Sequence, residues 1–175
     1  MENFLPKDYS VPVGESNYMR FQQGDNLFRI LAPPIVGWED WVEEDGKKKP
    51  VRFKMDLKPN QPFNPKRKIK HFWAMPVWNY NDERVQILEI TQSGIQSKIK
   101  SLVDDEDWGK PFDYDIKVIR NGEGIETEYS VNPKPKKAVD ESVDRAFSRI
   151  KVNLEALFEN KDPFEKEIDV SGIDF

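Results

Sequence analysis

Ten cations, Lys47, Lys48, Lys49, Arg52, Lys54, Lys58, Lys66, Arg67, Lys68 and Lys70, fall within the 25 residues from Lys47 to His71, where Asp56 is the only acid. The stretch carries +9 in a chain of net charge −5, which leaves −14 for the remainder. Phe53, Phe63, Phe72 and Trp73 are interleaved with these charges. Cations neutralise phosphates and flat apolar rings stack on bases, so this mixture points to a single-stranded nucleic acid as ligand. A whole-chain pI near 5.1 does not oppose that reading, because the positive charge is segregated.

Strand parity sorts the aromatic residues that follow. From Lys70 to Tyr80, Lys70, Phe72, Trp78 and Tyr80 share one face, and His71, Trp73, Met75 and Val77 share the other. The face with Lys70 is expected to be the wet one. Phe72, Trp78 and Tyr80 are then candidates for stacking, with Trp73 and Val77 in the core, although a bulge at Pro76 would invert the parity. Arg52, Phe53 and Lys54 lie in an alternating segment, VRFKM, that can form a hairpin arm, and Phe53 is the preferred loop aromatic. Of Trp38 and Trp41, one is assigned to the core and the other to an edge or stacking role. Arg20, Arg29, Lys117 and Arg120 either extend the groove or are simply exposed.

Other chemistries find little support. The chain has no Cys, and His71 is its only histidine, so thiol catalysis and zinc-thiolate sites are excluded and no metal is expected. There is no P-loop, nucleophile elbow or zinc-protease motif. The acidic run Asp104 to Asp107 reads as a helix stop rather than a magnesium site. A non-enzymatic protein without cofactor is expected. The N-terminus lacks an apolar signal core and no segment is long enough to span a bilayer, which suggests a cytoplasmic protein.

These residues must be positioned by one domain, which 175 residues can supply with a real core. Residues 1–16 read as a flexible arm. Leu27 to Val42 suggests a long strand interrupted at Pro33 and Pro34, followed by a long basic loop over 44–68. Ile69 to Thr91 reads as a β-hairpin with its turn at Tyr80 to Arg84. Ser93 and Gln96 resemble a capping box, and Ile95, Ile99, Leu102 and Val103 give a helix ending at Asp104. Two further strands, YDIKVIR and IETEYSV, are joined by Asn121 to Gly124, and the alternation in the second takes in Ile125. After a proline spacer, Val139 to Phe158 spaces its apolar residues as one amphipathic helix within 136–159, and residues 160–175 read as an acidic disordered tail.

Strand, long loop, hairpin, helix, hairpin is the order of the OB-fold, a five-stranded barrel with one helix between strands 3 and 4. The basic stretch falls where its L12 loop belongs and the Asn121 to Gly124 turn where L45 belongs, the loops with which this fold holds oligonucleotides. Residues 17–135 would form that domain. Its segments NYMRFQQGDNLFRILAPPIVGWEDW, HFWAMPVWNYNDERVQILEIT and DWGKPFDYDIKVIRNGEGIETEYSVNP resemble bacteriophage single-stranded DNA-binding proteins. The resemblance implies sequence-independent coating of single-stranded DNA during phage replication or recombination, in the host cytoplasm. It also supplies deoxyribose over ribose, which the residues do not. Glu165, Glu167, Asp169 and Asp174 before the terminal Phe175 resemble the partner-binding tips of such proteins, which recruit phage or host replication and recombination proteins. The same acids can also fold back on the basic loop, or serve only as a solubilising tail. An RNA-binding module, or an acidic protein-interaction protein without nucleic acid, remains an alternative, and the C-terminal helix leaves a homodimer open.

Overall fold

Pro33 and Pro34 lack the N–H that a strand ladder requires, and they divide what is otherwise one long strand into β2 (Gly24–Ile30) and β3 (Ile35–Glu44). Both halves still pair antiparallel with the same neighbour, β5 (Lys70–Asn79), β2 through Phe28↔Asn79 to Ile30↔Val77 and β3 through Ile35↔Ala74 to Glu39↔Lys70. The computed structural model describes residues 17–165 together with Phe4. β5 continues into the antiparallel β6 (Arg84–Ile90), while β7 (Ile116–Asn121) pairs β2 and β8 (Glu128–Pro133) pairs β7. A short β1 (Tyr18–Met19) runs parallel to β6, so the sheet is mixed. Among the described residues β8 pairs β7 alone, and the sheet does not close into the expected barrel.

The largest departure from the sequence reading lies in the basic stretch. Lys47–Lys54 is a strand, β4, paired with β3 from Glu44↔Lys47 to Gly37↔Lys54. The connecting residues Asp45 and Gly46 have φ of 52° and 75°, the positive pair demanded by a tight two-residue hairpin loop. β4 pairs β3 alone among the described residues, and Pro50 is tolerated on that edge.

Two helical expectations also change. α1 (Ser93–Asp104) forms where the spacing predicts, but without a capping box, because Gln92 is the N-cap and makes no side-chain cap bond. Gln96 instead donates to the carbonyls of Ile90 (2.8 Å) and His71 (3.1 Å), tying the helix to the sheet. The expected helix from Val139 to Phe158 is interrupted. α2 spans only Glu141–Ser148, capped by Asp140, whose carboxylate accepts from the Ser142 N–H at 2.9 Å. The β-branched Ile150 and Val152 favour extended backbone, and β9 (Lys151–Val152) pairs β10 (Phe164–Glu165) around a 3-10 segment, Leu154–Glu159.

Two apolar clusters follow from strand parity. Met75 and Val77 of β5, Leu88 and Ile90 of β6, Phe28 and Ile30 of β2, and Ile116 and Val118 of β7 form the main core, closed by Ile95 and Ile99 of α1. Phe72, Ala74 and Ile87 point to the opposite face, where Leu157 buries itself on them with Val152, Leu154, Phe158 and Phe164 around it. The central strands are thus covered on both sides, which explains the near-continuous apolar run of β5. Gly37 permits that closeness, since a Cβ there would stand 2.3 Å from the Phe53 carbonyl oxygen and 3.1 Å from the Phe158 ring.

Candidate nucleic-acid interface

The β3–β4 register decides which side chains meet. Glu39↔Arg52, Trp41↔Pro50 and Glu43↔Lys48 are directly opposed, so these side chains share one face of the hairpin. Part of that face carries Gly37, Lys54 and Phe72 and is roofed by Phe158, whose ring lies 6.1 Å from Phe72 and 5.9 Å from the Lys54 ammonium. The remaining part is open. It forms a groove of about 770 Å³ with Trp41, Lys48 and Arg52 on one side, Arg120 and Tyr129 of β7 and β8 on the other, and Leu88 and Glu89 of β6 between. Arg20 and Phe21 also line it.

Inside the groove the charges are ordered. Arg52 donates to Glu89 Oε2 at 2.6 Å and stands 3.5 Å from Glu39 Oε2, a nearly buried trio. Burial pushes the Glu39 carboxyl pKa up, against the opposing pull of Arg52, the Trp41 hydrogen bond and Lys70. Trp41 Nε1 donates to Glu39 Oε1 at 3.1 Å, which fixes the indole. Arg120 donates to the Phe21 carbonyl at 3.0 Å, while Arg20 and Lys48 are exposed. The half-buried rings of Trp41 and Tyr129 thus line the channel together with Arg20, Lys48 and Arg120, the mixture that base stacking and phosphate neutralisation require, while Phe21 packs into the main core.

Asp40, on the other face of β3, connects this channel to the rest of the basic stretch. Its wholly buried carboxylate accepts from the backbone N–H of Trp41 and of Phe63, each at 2.8 Å, and so pins the loop after β4 onto the hairpin. Trp38 holds the same loop through a hydrogen bond from Nε1 to the Met55 carbonyl at 3.1 Å, with the Lys58 ammonium 4.2 Å from its ring centroid. His71 Nδ1 lies 2.8 Å from the Gly37 carbonyl, an acceptor only, so that nitrogen carries the proton.

The hairpin redistributes the charge read from the sequence. Glu43 and Glu44 stand opposite Lys48 and Lys47, and Lys49 is 3.7 Å from Glu44. From Glu39 to Lys54 five acids balance five bases, and the excess of four positive charges lies in residues 55–70, chiefly Lys66, Arg67, Lys68 and Lys70.

Several candidates are placed differently from their expected roles. Phe72 is wholly buried beneath Leu157 and Phe158 and is unavailable for stacking, because the C-terminal segment covers the face read as wet. Tyr80 donates its hydroxyl to Asp115 at 2.9 Å, and burial together with that bond pushes its pKa up to about 12. Asp115 also pairs with Arg29 at 2.7 Å, both wholly buried, so Arg29 is a structural clasp rather than a groove cation. Arg52 is committed to two carboxylates, Glu39 and Glu89, in the groove wall. Trp78 and Phe53 are half-buried. Lys47, Lys48, Lys49, Lys54, Lys66, Lys68 and Lys70 are exposed and Arg67 is half-buried. Glu165 is exposed in β10 and 3.2 Å from Lys151, whereas Glu167, Asp169, Asp174 and Phe175 lie outside the described residues.

The sequence reading did not single out Tyr129 and left Trp41 undecided. The signal was available in Asp45-Gly46, a strong hairpin dipeptide, which sets the register that brings Trp41, Lys48 and Arg52 together. Compared with models of known protein families and with curated proteins, the chain matches none.

Proposed function

We propose that this is a non-enzymatic, sequence-independent single-stranded DNA-binding protein built on an OB-type sheet, coating single strands during phage replication or recombination, with its acidic C-terminal end recruiting replication proteins. The observation that carries this reading is the groove between the β3–β4 hairpin and β7–β8, where the half-buried rings of Trp41 and Tyr129 lie with the cations Arg20, Lys48 and Arg120. The β3–β4 hairpin follows the first strand, where the L12 loop of an OB-fold would fall, and the interrupted first strand that pairs both β5 and β7 is compatible with that topology. The preference for DNA over RNA rests on the sequence resemblance.

Competition binding tests the proposal. Oligo-dT should displace a labelled single strand far better than a duplex of equal length, with affinity falling steeply as salt rises. Equal affinity for duplex, or tighter binding of matched oligo-U, would reject it in favour of a duplex-binding or RNA-binding protein.

A further inference from the structure

The turn between β7 and β8 displays an aliphatic side chain with no apolar neighbour. Ile125, in the 3-10 turn Gly124–Glu126, is 104% exposed, although the sequence alternation assigns it to a strand. The turn is closed on itself: Gly122 has φ of 82°, and a Cβ there would stand 2.3 Å from the Glu126 carbonyl oxygen. Gln23 also donates to the Gly122 carbonyl at 2.6 Å, so the tip is braced from its base. Glu123, Glu126 and Glu128 surround Ile125, all exposed and without an ion pair among the described residues.

A complementary socket adjoins the groove and shares Trp41 and Lys48 with it. The Asp40 clamp on Phe63 leaves a cavity of about 460 Å³ lined by Trp41, Val42, Lys48, Phe63, Pro65 and Arg67, with Glu43 as its one acid. Val42, Pro65 and Phe63, itself 61% exposed, give a branched aliphatic side chain an apolar patch in an otherwise polar lining, and Lys48 and Arg67 suit flanking carboxylates. Lys66 and Lys68 extend the positive charge beyond it.

We infer that the Ile125 tip of one copy docks in the Phe63–Arg67 socket of the next. Tip and socket are different surfaces of one chain, so the contact is heterologous and propagates head to tail instead of closing a two-fold dimer. The apolar anchor supplies the contact, and the charges orient it and make it salt-sensitive.

The test needs no DNA and so stands apart from the proposed ligand. Sedimentation velocity of the full chain at low salt should show concentration-dependent growth beyond dimer, suppressed by added salt. Ile125→Asp, at a fully exposed position, should weaken association at least about tenfold, and so should Arg67→Glu. Mixing these two variants is decisive, since the Arg67→Glu chain keeps an intact tip and the Ile125→Asp chain keeps an intact socket. Dimers that form only in the mixture, and grow no further, are the expected result. A monomer at every concentration, a closed dimer, or association indifferent to Ile125→Asp would overturn the inference.

Discussion

Trp41 and Glu39 are joined by a 3.1 Å hydrogen bond from the indole nitrogen to a carboxylate that faces the groove and is itself nearly buried. The bond orients a half-buried ring that lines the groove, yet it places a negative charge where a polyanion must pass. Glu39→Gln keeps an acceptor for the indole and removes that charge. Oligo-dT affinity should rise several-fold in this variant, whereas Glu39→Ala, which frees the indole, should not produce the gain; equilibrium titration of the two variants checks this.

Trp41 and Phe72 share one sheet face but differ in burial, and they separate binding from stability. Trp41→Ala should weaken oligo-dT binding by about 1–3 kcal/mol, the value of one stacked base. Phe72→Ala should lower unfolding stability by about 3–5 kcal/mol, because Leu157 and Phe158 lose their support, while the protein that remains folded binds normally. Denaturant unfolding and titration of both variants distinguish the roles.

Replacing Lys66, Arg67 and Lys68 together by Ala should flatten the salt dependence of binding. If each neutralises one phosphate, the slope of log affinity against log salt falls in magnitude by about 2. Deleting residues 166–175 should act oppositely, leaving affinity unchanged or tighter, since three acids and one lysine leave with them.

The pH dependence of stability follows from buried acids whose pKa values are raised. Between the ordinary and the raised pKa of Glu39, the folded protein holds a proton that the unfolded chain has released. The contribution is therefore complete below the ordinary value and is lost as pH rises through the raised one. Tyr80 and Tyr114, raised from 10.0 to about 12 chiefly by burial, repeat the pattern in alkali, so stability should fall between those two values. Glu39→Gln should flatten the first slope and Tyr114→Phe part of the second, as read by denaturant midpoints over a pH series.

Much of the fold was legible because local rules and tertiary packing agree. The paired prolines interrupt the first strand, the β5–β6 hairpin follows its alternation, and α1 follows its apolar spacing. The misreadings occur where distant packing decides. Phe72 has the parity of a wet face, but that face is roofed by a segment more than 80 residues further on, which no periodicity around Phe72 can reveal. The same roof explains the interrupted helix, since Leu154, Leu157 and Phe158 dock in a 3-10 turn rather than continuing α2. The charge stretch was located correctly, but its partners were not, because Glu43 and Glu44 become neighbours of Lys48 and Lys47 only through the Asp45-Gly46 turn.

Intrinsic tryptophan fluorescence during titration with oligo-dT at low salt, in the wild-type chain and in Trp41→Phe, tests the groove most directly. Strong saturable quenching, reversed by salt and largely lost in Trp41→Phe, is the predicted result. No quenching at low salt, or quenching undiminished without Trp41, would contradict a single-stranded ligand stacked in this groove.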